Sequence, residues 1–344
     1  MSPDSPMLLQ SDARFVFRVD ASPAMGVGHA MRCAAIAEHL QEVGFKSVFV
    51  GETSSISWLE RHIDSIAGVE RVKSEAHFET KSDSDILVID SYQIDPNSAF
   101  LSDLPWRLTV ALVDNVTPEF CTDLYIHPGP NFGWKLPLKS GSSFVLEGLR
   151  FVPIRRSIAS IKRNVRQDGD KRIITIVGGG TDPTKFIENF IPVLESMNQD
   201  FEARVFTSLT HLNLKNKKIT FCLPEEGIEK SLSESDTVIT TAGTSAWETA
   251  SIGMPMGIAR AVENQIANYD YFTSEGLALG IGVFKDGRWD FSREKLSTLL
   301  SSDKVRESIT RKQLSIIDKS GVKNIVAGIL KAIIAKEEFG AFNQ

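Results

Sequence analysis

A strand that passes through two glycines into a helix, over residues 14–33, is the feature that most constrains the fold of this chain. Alternating apolar residues over 14–19 predict the strand. Gly26 and Gly28 then permit a tight turn in which the backbone can come close to a ligand. The turn delivers His29 to the start of the helix, where unpaired amide groups and the helix dipole also favour an anion.

The alternation of strands and helices continues along the chain. A helix over 30–43, stopped by Gly44, is followed by a strand over 45–50. This strand–helix–strand unit is typical of a parallel sheet with a right-handed crossover. Further predicted strands are 85–90, 108–113, 123–127, 172–177, 202–207, 218–223, 237–240 and 256–259, and further predicted helices are 55–66, one after Pro183, 225–235, one after Thr244, one from about 266 and a closing set up to 334.

The length and the repeated pattern predict the domain organisation. A chain of 344 residues exceeds what one core usually covers, which favours two domains. The Gly-, Pro- and Ser-rich stretch 128–148 predicts irregular connections with the boundary nearby. We therefore predict an α/β protein of two doubly wound Rossmann-like domains, residues 1–155 and 156–344, that face each other across a ligand cleft. A return of the last helix to the first domain is left open.

The composition argues against several classes of partner. A formal net charge of -6 gives no support for nucleic-acid binding, which depends on concentrated Lys and Arg. Cys33, Cys121 and Cys222 are widely separated and odd in number, which favours a reducing compartment over a disulfide framework or a metal knuckle. The sequence shows neither the order of a signal peptide nor an apolar run of membrane-spanning length. We therefore predict a cytoplasmic protein without a membrane span.

His29 is the main candidate for catalysis. The surrounding glycines resemble a dinucleotide fingerprint, but Met31 occupies the place of the third glycine, so a nicotinamide site is disfavoured. A neutral imidazole at His29 can accept a proton from water as a general base. The structural alternative is that His29 caps the helix or makes a buried hydrogen bond. Arg32 lies on the same helix face, where it either contacts substrate or pairs with Asp20.

A second group of candidates lies in the C-terminal half. The helix start at 242–244 offers exposed amides and a hydroxyl, which suit a diphosphate. Glu248, one turn later, can accept hydrogen bonds from both ribose hydroxyls, and the alternative is an exposed acid on an ordinary capped helix. Asn264 and Gln265 can hydrogen-bond a sugar or a phosphate.

Three further stretches have both a functional and a structural interpretation. The glycine loop 178–182 is a candidate ligand loop, although the signal is weak by itself. Asp90 and Tyr92 follow a predicted strand, and Tyr92 is equally compatible with a half-buried loop aromatic. The basic stretch 150–172 is either a phosphate-binding patch or a solvated linker and helix face, and the second is the more usual case.

Several motifs, in order over most of the chain, carry a family resemblance. They are Arg18–Ser22, Gly26–Cys33, Asp90–Tyr92, Val113–Asn115, Gly179–Pro183, Ala242–Glu248 and Glu263–Gln265. With them the sequence resembles the UDP-sugar hydrolases of pseudaminic acid biosynthesis and the related spore-coat polysaccharide proteins, which share the two-domain glycosyltransferase-B fold. The C-terminal motifs are also similar to those of UDP-sugar glycosyltransferases in general, including the peptidoglycan lipid-intermediate enzyme.

The resemblance implies an activity and a set of site residues. UDP-2,4-diacetamido-2,4,6-trideoxy-β-L-altropyranose, or a close analogue, would be hydrolysed with inversion to the free sugar and UDP, without a metal or other cofactor. His29 would be the general base, and the protein a monomer or weak oligomer. The predicted substrate-binding residues are Asp20, Gly28, Arg32, Tyr92, Asn264 and Gln265, and the predicted UDP-binding residues are Gly179, Gly180, Thr181, Gly243, Thr244 and Glu248.

The sequence departs from the family pattern in two places, and both bear on the identity of the sugar. The paired aspartates expected near residue 114 read Asp114-Asn115, and a segment that usually resembles Leu-Arg-Pro-Glu-Phe reads differently over 154–158. Two rival functions stay open. One is a glycosyltransferase that uses an alcohol acceptor in place of water, and the other is a non-catalytic nucleotide-sugar binding protein.

Overall fold

The computed structural model describes residues 13–80, 83–114, 116–130, 136–138, 143–163, 171–207, 209 and 218–342. These residues form two compact units. The first unit holds the described residues up to Ser22, from His29 to Pro153 and from Ser320 onward. The second unit holds 23–28 and 154–319.

The first unit is built on a parallel sheet. In its described part the seven strands have the order β3-β2-β1-β4-β5-β6-β7, and every neighbouring pair is parallel. The central strands are apolar over nearly their whole length because helices cover both faces of such a sheet. The strands are β1 Arg14–Val19, β2 Lys46–Val50, β3 Val69–Val72, β4 Ile86–Asp90, β5 Leu108–Leu112, β6 Leu124–His127 and β7 Phe144–Glu147, and the helices are α1 Gly28–Glu42, α2 Ser57–Asp64, α3 Ala99–Ser102 and the last helix of the chain, α11 Gly321–Phe342.

The strand order of the first unit places its ligand edge. The connections run outward in opposite directions from β1 and β4, which are neighbours in the sheet. Open α/β sheets bind ligands beyond the carboxyl ends of the strands at such a reversal. Val19, at the end of β1, is in register with Asp90, at the end of β4. The residues that follow these two strands therefore lie at the edge where a ligand is expected.

The second unit repeats this topology. In its described part the seven strands have the order β10-β9-β8-β11-β12-β13-β14, parallel except for the antiparallel last pair. The order reverses between β8 and β11, so the glycine loops at 178–182 and 242–243 follow the two strands at the reversal. The strands are β8 Arg172–Val177, β9 Phe201–Phe206, β10 Ile219–Cys222, β11 Thr237–Thr241, β12 Met256–Arg260, β13 Leu279–Lys285 and β14 Arg288–Phe291, and the helices are α4 Arg156–Ala159, α5 Phe186–Glu195, α6 Glu229–Glu234, α7 Thr244–Ser251, α8 Ile266–Ser274, α9 Arg293–Ser301 and α10 Asp303–Ile316.

Four strands were not predicted, and each lies toward an edge of its sheet. Residues 69–72 carry charged, exposed side chains at their centre, so the apolar signal of β3 is weak. β7 falls within the stretch 128–148, for which irregular structure was predicted, and that prediction is wrong at 144–147. Residues 131–135 and 139–142 of that stretch lie outside the described residues. β13 and β14 form a hairpin that closes the second sheet.

The division of the chain differs from the predicted boundary at 155/156. The crossover lies between Pro153 and Ile154, and α11 groups with the first unit rather than with the second. Close approach of the backbones explains this grouping, because a Cβ on Gly321 would lie 1.8 Å from the carbonyl oxygen of Val152. The Asn324 side chain also donates to the Arg150 carbonyl at 2.8 Å. The last helix thus returns to the unit in which the chain begins.

No helix within the described ranges has both the length and the apolar composition that a membrane span requires.

Candidate active site

His29 is held by a buried carboxylate at the ligand edge of the first sheet. It is the second residue of α1, and its Nδ1 lies 2.5 Å from Oδ1 of Asp90. The side chain of Asp90 is 1% exposed, and that of His29 is 12% exposed. In the neutral ring, a proton on Nδ1 that is donated to Asp90 leaves Nε2 as the acceptor. The buried hydrogen bond of the structural alternative is therefore present, and it orients the ring for proton transfer at Nε2.

Arg32 joins two carboxylates. Its Nε and Nη2 donate to the two oxygens of Asp90, each at 2.5 Å, and its Nη1 donates to Oδ1 of Asp114. The predicted pairing of Arg32 with Asp20 is wrong, because Asp20 is bound by other groups. The Arg32 guanidinium is largely buried, and three of its N–H groups donate to carboxylates. A substrate contact would have to use its other N–H groups.

Asp114 and Tyr92 complete the group around His29. Oδ2 of Asp114, which follows β5, accepts the Tyr92 hydroxyl at 2.8 Å and lies 3.8 Å from Nε2 of His29. The Tyr92 ring meets the imidazole edge to face, with centroids 4.8 Å apart. Tyr92 is 44% exposed, so part of this residue lies at the surface beside the imidazole. The structure thus brings together His29, Arg32 and Tyr92, which the sequence had singled out.

The charges of this group raise the pKa of the imidazole and lower the pKa of both carboxyl groups. Burial and the Arg32 charge lower the pKa of His29, but the charges of Asp90 and Asp114 and the hydrogen bond to Asp90 together outweigh them, and the pKa lies above its ordinary value. Burial raises the pKa of Asp90 and of Asp114, yet the charges of Arg32 and His29 and the hydrogen bonds to both carboxylates together more than compensate, and both carboxyl pKa values lie below their ordinary range. The two acids are therefore ionised beside His29 at neutral pH.

The Asp20 carboxylate is hydrogen-bonded by neighbouring residues of the protein. Its Oδ2 accepts from Nη1 of Arg18 at 2.6 Å and from the Ser91 hydroxyl at 2.8 Å, and its Oδ1 accepts from the Glu52 amide at 3.0 Å. These bonds tie the chain after β1 to the loop after β4, directly beside Asp90. They favour a positioning role for Asp20 over the substrate contact predicted for it.

Asp114 and His127 also lie at this edge, and neither was predicted as a site residue, although Asp114 belongs to the family motif Val113–Asn115. His127 ends β6 and is buried, and burial lowers its pKa against the opposing charges of Asp114 and Glu147. Asp114 directly follows the predicted strand 108–113. The available signal was the position of both residues at the end of an apolar run, which is the pattern that had indicated Asp90. Asn115, named among the departures, lies outside the described residues.

In the second unit, the glycine loop after β8 is shaped by a capping carboxylate. Asp182 accepts the amides of Phe186 and Ile187 at 2.6 and 2.9 Å, which fixes the start of α5. Gly179 has a φ of +90°, a conformation that favours glycine. A Cβ on Gly180 would lie 2.1 Å from Cγ2 of Val27, so close packing requires this glycine. The adjacent Thr181 belongs to the same loop.

Gly28, at the start of α1, is also limited by packing. A Cβ at Gly28 would lie 3.0 Å from Oγ1 of Thr244, the first residue of α7. Gly28 and Val27 belong to the segment that groups with the second unit. The lack of a side chain at Gly28 therefore makes room for the Thr244 side chain.

Glu248 is buried in an ion pair. Its Oε1 and Oε2 accept from Nε and Nη2 of Arg155 at 2.6 and 2.8 Å, and Glu248 is 4% exposed. The alternative of an exposed acid is therefore wrong. Within the basic stretch 150–172, Arg155 is paired with Glu248, and Arg163 donates to the Gly253 carbonyl at 2.6 Å. At these two positions the stretch is therefore neither a phosphate-binding patch nor a solvated face. Arg166 of that stretch lies outside the described residues.

Gln265 lies opposite the glycine loop that precedes α7. Its Oε1 accepts the Ala261 amide at 2.9 Å, and its Nε2 lies 3.5 Å from where a Cβ on Gly243 would stand. Asn264 precedes it in the single helical turn Glu263–Gln265. The structure thus gathers Gly243, Thr244 and Gln265 at the ligand edge of the second sheet. Within the described residues, no three His, Cys, Asp or Glu side chains are grouped so that they could hold a metal ion.

Comparisons with known proteins connect this geometry to a fold. The sequence matches no protein-family profile. It is 22% identical over 209 residues to the spore coat polysaccharide biosynthesis protein SpsG of Bacillus subtilis (strain 168), and the match covers 57% of this chain and 61% of that relative. The aligned region thus spans less than two thirds of the relative.

Several solved structures resemble this chain over more than nine tenths of its length. MurG of Acinetobacter baumannii has a TM-score of 0.63 at 16% identity, covering 93% of this chain and 99% of its own. The spinosyn forosaminyltransferase SpnP has a TM-score of 0.60 at 13% identity, with the same coverage. A putative UDP-N-acetylglucosamine 2-epimerase from Listeria monocytogenes has a TM-score of 0.59 at 13% identity, covering 92% and 95%. The chain therefore has the glycosyltransferase-B fold of two α/β domains with parallel sheets, as the sequence predicted.

Proposed function

We propose that this protein is a UDP-sugar hydrolase in which His29 activates water for attack on the anomeric carbon. The observation that carries the proposal is the bond between Nδ1 of His29 and the buried Asp90, at the edge of the sheet where ligands of such folds bind. A histidine held in this way by a carboxylate presents Nε2 as a base. The family motifs and the similarity to SpsG support the same class of substrate.

The proposed reaction is a single inverting displacement. The water oxygen forms a bond to the anomeric carbon while its proton passes to Nε2 of His29. The bond between the anomeric carbon and the phosphate oxygen breaks, and UDP leaves with that electron pair. Asp90 stabilises the imidazolium that forms, and Arg32 keeps Asp90 in place.

The second unit supplies UDP binding in this proposal. The amides at Gly243 and Thr244, at the start of α7, suit the diphosphate, and the loop Gly179–Thr181 supports it. Glu248 would accept the ribose hydroxyls with lone pairs that Arg155 leaves available, since a carboxylate has about four acceptor positions. Asn264 and Gln265 would bind the sugar or its phosphate.

The family resemblance supports a finer identity. We propose UDP-2,4-diacetamido-2,4,6-trideoxy-β-L-altropyranose or a close analogue as the substrate, in pseudaminic acid or related surface polysaccharide biosynthesis. The proposal includes a cytoplasmic protein that works without a cofactor, as a monomer or weak oligomer. The second candidate is a glycosyltransferase with an alcohol acceptor, which is favoured by the fold similarity to MurG and to the forosaminyltransferase.

The deciding experiment offers the purified protein a panel of UDP-sugars without any acceptor. We expect UDP and free sugar in equal amounts, at a rate that His29→Ala abolishes while UDP binding by calorimetry is retained. In ¹⁸O-water the label should enter the sugar, and label in UDP would indicate cleavage at phosphorus instead. Turnover that requires an added alcohol would favour the transferase, and stoichiometric binding without turnover would favour a binding protein.

A further inference from the structure

We propose that Asp114 is the second acceptor for the attacking water, and that the pair formed by Asp114 and His29 selects water over an alcohol as the nucleophile. This inference rests on the proposed hydrolase function and deepens it. It assigns a role to a carboxylate that stands beside the proposed base. It also gives a physical reason why this site would hydrolyse a UDP-sugar rather than transfer the sugar.

The distance between the two acceptor atoms suits a single bridging oxygen. Nε2 of His29 and Oδ2 of Asp114 are 3.8 Å apart, which is too long for a direct hydrogen bond. Both atoms can lie about 2.8 Å from one oxygen, at which they then subtend about 85°. That angle is about 20° smaller than the angle between the two O–H bonds of water, so each hydrogen bond would deviate from linearity by only about 10°. A water molecule can therefore donate to both atoms at once.

In both His29 and Asp114, a second polar atom of the side chain is held by a hydrogen bond within the protein. Nδ1 of His29 is bound by Asp90, and Oδ1 of Asp114 is bound by Arg32. Tyr92 donates its hydroxyl to Oδ2 and leaves that oxygen with a further lone pair. Neither acceptor can therefore turn away without breaking a bond to a largely buried group. The two acceptors are preorganised toward the same point before substrate binds.

Counting donors shows why water is preferred. A water molecule has two O–H groups and satisfies both acceptors, and its remaining lone pair can point to the anomeric carbon. An alcohol has one O–H group, so it leaves either the imidazole or the carboxylate without a donor from the nucleophile, which costs affinity. After attack the first proton is on Nε2 of His29. The second stays on the oxygen as the new sugar hydroxyl and still donates to Asp114.

The test measures how the enzyme partitions between water and methanol. Wild type, Asp114→Asn and the control Asp123→Asn react with UDP-2,4-diacetamido-2,4,6-trideoxy-β-L-altropyranose in aqueous methanol, and methyl glycoside and free sugar are quantified. Asp123 is a buried carboxylate at the opposite, amino end of β6, where it accepts from Thr109 and Lys336. The neutral amide at 114 would turn a donor toward the nucleophile, so that an alcohol fits as well as water.

Wild type should discriminate against methanol by about ten-fold relative to its molar fraction, the selectivity of one hydrogen bond to a charged group. Asp114→Asn should lose this discrimination, and Asp123→Asn should keep it. A merely structural role for Asp114 would slow the reaction without changing the product ratio, and that result would overturn the inference alone. Wild-type products in proportion to the solvent composition would do the same, whether or not the variant folds. Methyl glycoside without free sugar, or no turnover of any UDP-sugar in the panel, would overturn the hydrolase proposal as well.

Discussion

Oδ1 of Asp90 lies 2.5 Å from Nδ1 of His29, and this bond joins the end of a buried strand to the start of a helix. The carboxylate is fixed from its other side by two donors of Arg32. A histidine in this setting has a defined tautomer and a raised pKa. The chemistry at Nε2 is thus set by a residue 61 positions away in the chain.

Replacing Asp90 by Asn should greatly slow hydrolysis, although the imidazole of His29 is still present. The amide can hold the ring in the wrong tautomer and does not stabilise an imidazolium, so we expect kcat to fall by roughly 10²- to 10⁴-fold. UDP affinity should change little, because the proposed UDP residues lie in the second unit. Stopped assays of UDP release, with Asp123→Asn as the control, measure this. A near-normal kcat would contradict the proposed role of Asp90.

The pH dependence of hydrolysis should report the raised pKa of His29. The base must be unprotonated, so activity should rise with pH through an apparent pKa above the ordinary value of 6.5. Burial alone would lower the pKa of His29, and the Asp90 charge is the main opposing cause. In Asp90→Asn the acidic limb of the residual activity should therefore move to lower pH. Profiles of kcat against pH for the two proteins decide this, and coincident limbs would refute it.

Arg32→Met should destabilise the protein most at neutral pH. The substitution leaves Asp90 and Asp114 without their cation, and breaking a buried ion pair in this way costs about 3–5 kcal/mol. Both carboxyl pKa values are lowered in wild type, so the stability they contribute is present above the unfolded pKa and is lost as pH falls. That loss in wild type begins only near the unfolded value of 3.8. In the variant, burial without Arg32 raises both carboxyl pKa values, so the carboxyl groups take up protons at higher pH and their unpaired charge is relieved, and the gap should narrow from pH 7.5 to pH 4. Urea unfolding at both values tests this, and a gap independent of pH would contradict it.

The general layout could be predicted from the sequence, whereas the contacts of the site could not. Alternating apolar runs locate β1, β4 and α1, and the rule that ligands bind at carboxyl ends singles out His29 and Asp90. The pairing of Arg32 with Asp90 and Asp114 rather than with Asp20 depends on which strands are neighbours. Strand order is a property of the whole sheet, and no local spacing encodes it.

The same limit explains the errors in other parts of the chain. Glu248 on a short helix looks like an exposed acid, yet Arg155, 93 positions earlier, buries it in a two-bond ion pair. The last helix is apolar enough to pack on either unit, and its contacts with residues distant in sequence, such as that of Gly321 with Val152, show which one it joins. Edge strands such as β3 are short and half-exposed, so their periodicity is too weak to detect.

Gly243→Ala should weaken UDP binding without weakening the fold. Gly243 has a φ of -95°, and the nearest atom to an added Cβ is Nε2 of Gln265 at 3.5 Å, so alanine fits. If a diphosphate binds at this helix start, the methyl group would meet it, and we expect about ten-fold weaker UDP binding by calorimetry. Gly180→Ala is the contrasting variant, because its Cβ would clash with Val27 and should cost about 1–3 kcal/mol in thermal unfolding. Unchanged UDP affinity in Gly243→Ala would show that the diphosphate does not bind at this loop.

Glu248→Gln should remove discrimination between ribose and deoxyribose. The Glu248 carboxylate is bound by Arg155 and still has acceptor capacity, so it can take a hydrogen bond from the ribose 2′-hydroxyl. Wild type should bind UDP about ten-fold more tightly than 2′-deoxy-UDP, which is the effect of one hydrogen bond to a charged group. In Glu248→Gln the two affinities should converge, even if both fall because Arg155 loses its partner. The ratio of the two dissociation constants separates ribose recognition from a general loss of structure, since misplacement of α7 would weaken both ligands equally. A variant that keeps the wild-type ratio would show that Glu248 serves only to hold Arg155.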